Sequence, residues 1–343
     1  MMRAVEIRTA LLACALGALL IAFANRPLRA QAGRWDQAVS AGERALEARD
    51  YEQAETQFQA ALDQSAGFSS NDPRRAKTLA RMARLYRAQG DFAKPETIYR
   101  DALAAAEAAH GLEASEYAAY LHEVGGYYHA RRKYDLAEEY YTKAFALRVK
   151  TLGREHVDVA QSINDLGVLY ENQARLDKSE VYFPHALSIR EKLLGADHLD
   201  TIATAEHFAR LLNKLQQGEK AQELLTRATR FRQERVSRYS APEGPPAEIY
   251  SSREVRRQLE LRDRVEPEYT DEARIARHEG MVLLQVAIDS EGRARSFRLL
   301  TSLGLGLDEK AVEAVRQWTF RPARKDGKRV AVITNIEIEF GLL

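Results

Sequence analysis

The sequence predicts an α solenoid of helical hairpin repeats followed by a small α+β domain, ordered helix, strand, strand, helix, strand with an antiparallel sheet. Three observations carry this. Residues 161–194 match their neighbours when slid 42 positions either way: Tyr128 precedes and Leu212 follows Tyr170, Ala137 and Ala221 flank Ser179, and Ala144 and Ala228 flank Ala186. Self-similarity at such a period marks stacked supersecondary units, none able to bury its apolar face alone. After Arg235 the repeat stops, and residues 241–246 (Ala-Pro-Glu-Gly-Pro-Pro) carry linker punctuation. Beyond Val265 the apolar spacing changes to strict alternation, as at Val282, Leu284, Val286 and Ile288. The boundaries follow: 1–32 an export signal or signal anchor, 33–236 about five repeat units, 237–264 a linker, and 265–343 the terminal domain.

Composition narrows the function classes. The 343 residues are 45% hydrophobic and 29% charged, which is ordinary globular usage. Lys plus Arg number 51 against 50 Asp plus Glu, a balance that supplies no field for nucleic acid. The single cysteine, Cys14, rules out an internal disulfide.

At the N-terminus Arg3 and Arg8 precede an apolar run over residues 9–24, and Ala30, Gln31 and Ala32 supply the small-x-small pattern of a cleavage site. The run is shorter than the roughly 20 residues that cross a bilayer core. Cleavage leaves an exported periplasmic protein. Retention of residues 9–24 leaves one anchored in the inner membrane of a Gram-negative-type cell.

Within the third full unit Ile163, Leu166, Gly167 and Tyr170 form one stripe at helical spacing, the sign of a face buried on a partner helix. Gly167 and Ser179 are small where two helices must approach closely, as are Gly125 with Ala137 and Ala209 with Ala221. Further back, Tyr86, Pro95, Tyr99 and Ala102 continue the series, and Gly42, Ala54, Phe58 and Ala61 make a degenerate first unit. Pro95 falls in the first turn of its helix, where no N–H is missed. Pro184 falls well inside one, at a cost of about 3 kcal/mol, and predicts a bend or an early stop.

This small-large alternation resembles the tetratricopeptide repeat family. The period and the closing loops at 152–156 and 194–198 look like its kinesin-light-chain variety. The resemblance implies a groove lined by the first helix of each unit and able to hold an extended peptide. In that register the groove residues are Lys77, Arg84, Arg87, His122, His129, Asn164, Glu171, Glu206, Arg210 and Asn213, with Gln161 beside them. Asn164 stands where the family often uses asparagine on peptide backbone, and Asp165 replaces its neighbour. The competing reading is that these are solvated helix positions. No metal is expected, because His122 and His129 lie seven apart with no cysteine or i, i+4 histidine beside them. His156 and His198 sit in equivalent loops that suit a cap or packing role. No cofactor is expected either: Gly304-Leu305-Gly306 has no Walker lysine after it, and no nucleophilic triad has its required context.

In the last segment residues 289–292 (Asp-Ser-Glu-Gly) predict a hairpin turn, and residues 293–301 the returning strand with Phe297 and Leu299 inward. Asp308 is expected to cap a helix carrying Ala311, Ala314, Val315 and Trp318. A last strand alternates through Val330, Val332, Thr334, Ile336, Ile338 and Phe340.

Glu268-Tyr269-Thr270-Asp271-Glu272-Ala273, Gly280, the 289–292 turn, residues 307–311 and Trp318-Thr319-Phe320-Arg321-Pro322-Ala323 together resemble the TonB C-terminal domain. One departure is Thr270, where that family usually has proline. The resemblance implies a periplasmic domain that binds outer-membrane receptors by adding their peptide as a strand. An exposed edge over Val330 to Phe340 offers the unpaired groups this needs, unless the linker or a second copy covers it. TonB proper keeps an uncleaved N-terminal helix with a histidine, then a proline-rich spacer; here the first histidine is His110 and repeats fill the spacer's place. The expectation is therefore an exported, non-enzymatic adaptor for protein or peptide ligands, outer-membrane receptor or envelope proteins among them. The alternative is a membrane-anchored TonB-like energy transducer.

Overall fold

The computed structural model describes residues 26–89, 94–240, 249–251, 255 and 259–341. The predicted export segment lies outside these up to residue 25, as does the linker stretch 241–248. Two compact units divide the chain, Met1–Val124 and Gly125–Leu343.

Ten helices precede the terminal domain among the described residues, as five hairpins. They are α1 (Arg26–Glu47) with α2 (Tyr51–Ser65), α3 (Arg74–Ala88) with α4 (Lys94–His110), α5 (Ser115–Ala130) with α6 (Tyr134–Leu152), α7 (Val157–Asn172) with α8 (Leu176–Leu194), and α9 (Leu199–Lys214) with α10 (Gly218–Arg238). The expected cleavage site thus falls inside α1, where Gln31 Nε2 donates to the Gln64 carbonyl at 2.8 Å.

The hairpin turns repeat as closely as the helices. Arg49, Arg132, Ala174 and Gln216 are left-handed, with φ of 58°, 59°, 58° and 61°. The next amide then reaches back across each turn: Asp50 N to Ala45 O, Lys133 N to Tyr128 O, Arg175 N to Tyr170 O and Gln217 N to Leu212 O, at 2.8 to 3.0 Å. These bonds satisfy carbonyls that a helix end leaves open.

Helix crossings explain the small residues. A Cβ on Gly42 would stand 2.6 Å from the Phe58 ring, on Gly125 2.5 Å from Tyr141, and on Gly167 3.0 Å from Phe183. One helix of each pair therefore lays a ring on bare backbone of the other. In the last hairpin the ring position is Leu225, and alanine fits at Ala209, which is fully buried.

Between hairpins, Gly153 and Gly195 end α6 and α8 at φ of 82° and 94°. His156 and His198 then cap the following helices, their Nδ1 atoms accepting from Asp158 N at 3.1 Å and Asp200 N at 3.2 Å. Pro184 departs from expectation, because α8 runs on through it to Leu194. It sits on the exposed side, where a carbonyl left without its helical donor is open to water.

The terminal domain contains α11 (Asp271–Ala276), β3 (Gly280–Ile288), β4 (Ala294–Thr301), α12 (Leu307–Gln317) and β7 (Lys328–Phe340), in the predicted order. Short strands β5 (Thr319–Arg321) and β6 (Ala323–Lys325) intervene, and β1 (Ile249–Ser251) and β2 (Glu260–Asp263) form within the stretch read as linker. The main sheet runs β1-β7-β3-β4, with β6 also on β7, while β2 pairs with β5. Antiparallel β3 and β7 are in register from Gly280 opposite Phe340 to Ile288 opposite Val332. That register puts Val282, Leu284, Val286, Ile336 and Ile338 on one buried face, under Ala311, Val312 and Val315 of α12.

Asp308 is not the helix cap. The cap position belongs to Gly306, in the left-handed region, and Asp308 instead accepts from Ser302 Oγ, Leu303 N and Gly304 N, folding the preceding loop back on itself. Thr270 is a cap: its Oγ1 accepts from Ala273 N at 3.2 Å and donates to the Leu305 carbonyl at 2.6 Å. A proline there has no hydroxyl to make either bond.

Candidate functional site

Buried arginines join one hairpin to the next. From α6, Arg148 Nη1 donates to the Asp158 carbonyl at 3.0 Å and to Ser162 Oγ at 2.8 Å, ten and fourteen residues on. Arg190 of α8 repeats this on the Asp200 carbonyl at 2.9 Å and Thr204 Oγ1 at 2.6 Å. The third member of the series, Arg232 of α10, is completely buried and has no further repeat to hold. It grips the terminal domain instead. Nη1 meets Glu309 Oε2 at 2.6 Å, Nε lies 3.5 Å from Asp308 Oδ2, and Nε and Nη2 form a fork on Glu206 at 2.6 and 2.7 Å. Helix α12 thus stands in this contact where the next repeat helix stands in the other two.

The electrostatics follow from burial. Burial alone would lower the Arg232 pKa, but Glu206, then Glu309 and Asp308, raise it, so the guanidinium is permanently charged. Burial pushes the Asp308 carboxyl up to about 6 despite Arg232 and its hydrogen bonds. Around this ion cluster, Leu305 N donates to Glu206 Oε2 at 2.7 Å and Tyr239 OH to Glu313 Oε1 at 3.2 Å. Asn172 Nδ2 reaches the Ile275 carbonyl at 3.2 Å, while Ile275 packs on the cluster of Val168, Phe183 and Leu211. One hydrophobic core takes in Ala203 and Val236 of the repeats together with the sheet residues.

This packing corrects the predicted groove. His129, Asn164 and Glu171 are buried, so they are no lining for an open groove, and Glu206 is held by Arg232 and Leu305 N. Glu171 is fixed by Arg210 at 2.9 Å and Lys214 at 2.8 Å; burial raises its pKa, but these two cations outweigh that and leave it low. Arg210 Nη2 also donates to His207 Nδ1 at 2.9 Å, and burial followed by Arg210 keeps that imidazole neutral. Asn164 Nδ2 is bonded to Asp165 Oδ1 at 3.1 Å. Asn213 is exposed, as are Lys77 and Arg84 in the N-terminal unit, where Arg87 and His122 are half-buried. The polarity that the repeat register placed on these helix faces is, in the second unit, largely consumed within the chain.

The sheet margins differ from one another. At β4 two amides in mid-strand are taken: Phe297 N donates to Ser240 Oγ at 3.1 Å and Leu299 N to Gln233 Oε1 at 2.9 Å. At β7 the predicted edge over Val330 to Phe340 needs correction at one end. Val330 pairs with Ala323 of β6, and Ala331, Val332 and Ile333 pair in parallel with Ile249, Tyr250 and Ser251 of β1. The linker strand therefore occupies that end. Among the described residues no strand lies beside Thr334 to Phe340 on the side away from β3. There Ile336, Ile338 and Phe340 point into the core, so the available groups are backbone, and the exposed side chains are Asn335, Glu337 and Glu339. Sequence reasoning passed over those three and over Arg232, although the arginine at the 42-residue period and the polar alternation were both legible.

The fold and site define a helical-repeat scaffold closed by a small mixed domain whose longest strand keeps an open stretch among the described residues. Residues 47–108, 116–183 and 163–234 match the tetratricopeptide repeat model, and residues 265–342 match the Gram-negative bacterial TonB protein C-terminal model. The chain belongs to the tetratricopeptide repeat family and ends in a TonB C-terminal domain. Over 79 residues it is 39% identical to protein TonB of Vibrio cholerae, an alignment covering 23% of this chain and 32% of that protein. The chain thus spans about a third of that curated relative. Among solved structures it is similar to BtubC (BKLC) from P. vanneervenii, at TM-score 0.57 and 23% identity over 68% of this chain and 93% of that one. It is also similar to a Podosopora anserina kinesin light chain with nearly identical TPR-like repeats, at TM-score 0.51 and 21% identity over 59% and 96%. Both likenesses describe the fold.

Proposed function

We propose that the chain is an exported adaptor of the cell envelope, with no chemistry of its own, which captures an outer-membrane receptor or another envelope protein through its terminal domain. The observation that carries this is the open backbone of Thr334 to Phe340 in a domain related to TonB over its whole length. Unpaired N–H and C=O groups on an edge strand are a template for an incoming one. Arg3, Arg8, the apolar run at 9–24 and Ala30-Gln31-Ala32 support export. Lys77 and Arg84, exposed on α3, are the part of the predicted groove left for a second polypeptide.

The test is a photo-crosslinking residue placed at Glu337 in the full chain, in cells, with the same residue at Arg298 on β4 as control. Adducts to an outer-membrane protein from position 337 alone support the reading; none, or the same from both, refutes it. N-terminal sequencing of the recovered protein decides export. A start at Gly33 supports the adaptor, and an intact Met1 supports the membrane-anchored transducer.

A further inference from the structure

The open margin of β7 has a charge pattern that selects its occupant. In the register with β3, Asn335, Glu337 and Glu339 stand opposite Gln285, Leu283 and Met281 on the outer face. Glu337 and Glu339 are exposed on the edge strand itself, with neutral residues on their β3 side. On this face Arg298, opposite Gln285, lies on β4 two strands away, on the order of 10 Å at the usual strand spacing, and Arg329 stands at the far end of β7. On the other face Ile336, Ile338 and Phe340 form an apolar row, with Tyr269 edge-on to Phe340 at 5.8 Å between centroids. The pairing of β1 with Ala331 to Ile333 stops the vacant margin at Thr334.

We infer that this margin takes a short extended segment, about seven residues long, with Lys or Arg at alternate positions facing Glu337 and Glu339 and apolar residues between them. The inference rests on the strand-addition reading above and adds the chemistry of the partner. Directly opposed side chains on neighbouring strands interact, and like charges there repel. A strand with acidic residues in those places sets carboxylate against carboxylate in either register that keeps its apolar row inward. A basic one pairs on both glutamates. Selectivity here comes as much from rejecting the acidic strand as from holding the basic one.

The experiment uses the full chain and two fluorescein-labelled peptides, Thr-Lys-Val-Lys-Val-Lys-Thr and Thr-Glu-Val-Glu-Val-Glu-Thr, with anisotropy as the readout at low and at physiological salt. The basic peptide is expected to bind roughly tenfold tighter at low salt, with the gap narrowing as salt screens it. Glu337→Gln with Glu339→Gln, both exposed and outside the core, should bring the two affinities together. Equal binding of both peptides to the unaltered chain, or a preference that survives the double substitution, overturns the charge inference and leaves strand addition standing. Binding of neither overturns both.

Discussion

Replacing Arg232 by methionine keeps the volume and the stem but removes the cation on which three carboxylates converge. Glu206, Asp308 and Glu309 have side chains 10%, 0% and 6% exposed, so none can turn to water in place. Breaking a buried ion pair from one side costs about 3–5 kcal/mol, because the charge left behind is unpaired. Asp308, already at about 6, escapes part of this by taking a proton. A net loss of about 4 kcal/mol for the contact is therefore expected, or about a thousandfold in its opening equilibrium. The readout is amide exchange at Phe297, Leu299 and Leu305, whose N–H groups donate to Ser240, Gln233 and Glu206 of the repeats. They should exchange about a thousandfold faster in Arg232→Met while amides deep in α7 do not change. Adding Glu206→Gln and Glu309→Gln should restore much of the protection, since the charges left uncompensated are then gone. A change below about tenfold at all three amides would refute the assignment of Arg232 as the tie between repeats and domain.

Acid should weaken the second unit through His129. Asn172 donates to its Nε2 at 2.9 Å, so the ring is neutral with its proton on a buried Nδ1 that has no acceptor, and burial lowers its pKa to about 4. The folded state refuses a proton that the unfolded chain takes near 6.5, so this stability is present above 6.5 and is lost as pH falls toward 4. The loss is about 2 kcal/mol between pH 7 and 5. Asp308 works the opposite way, gaining as pH falls through about 6, so the comparison needed is the urea midpoint of His129→Gln against the parent at both pH values. A pH dependence that His129→Gln does not flatten counts against it. Gly125→Ala should cost about 2–3 kcal/mol, since its Cβ would stand 2.5 Å from Tyr141, while Gly167→Ala, at 3.0 Å from Phe183, should cost less; thermal melting ranks them. Thr270→Ala removes both the cap of α11 and the tie to Leu305, about 2 kcal/mol together by denaturant titration.

The repeat architecture was legible because it is written in local terms. A small residue under a ring sixteen positions on, a histidine cap after a glycine and a closing turn all sit within one period of sequence. The terminal domain's helices and long strands were legible for the same reason, from periods of 3.6 and 2. Contacts that join distant segments were not. Nothing near Ile249 marks it as the partner of Ala331, and a three-residue strand has too little pattern to declare itself. Asp308 looked like a cap because it precedes an apolar stripe, yet the left-handed Gly306 starts the helix and frees its carboxylate for the loop. The burial of His129, Asn164 and Glu171 was illegible for a related reason. A register tells which side of a helix a residue occupies, not whether Glu171 will meet Arg210 and Lys214 there.

A sheet with two bare margins invites endless stacking, copy upon copy, and is an aggregation hazard. Here Gln233 and Ser240 occupy the middle of the β4 side with side-chain acceptors, and β1 shortens the β7 side. Association through the long strands is thereby confined to one stretch of β7: a guest segment fills it, or two copies meet through it around a twofold axis and close.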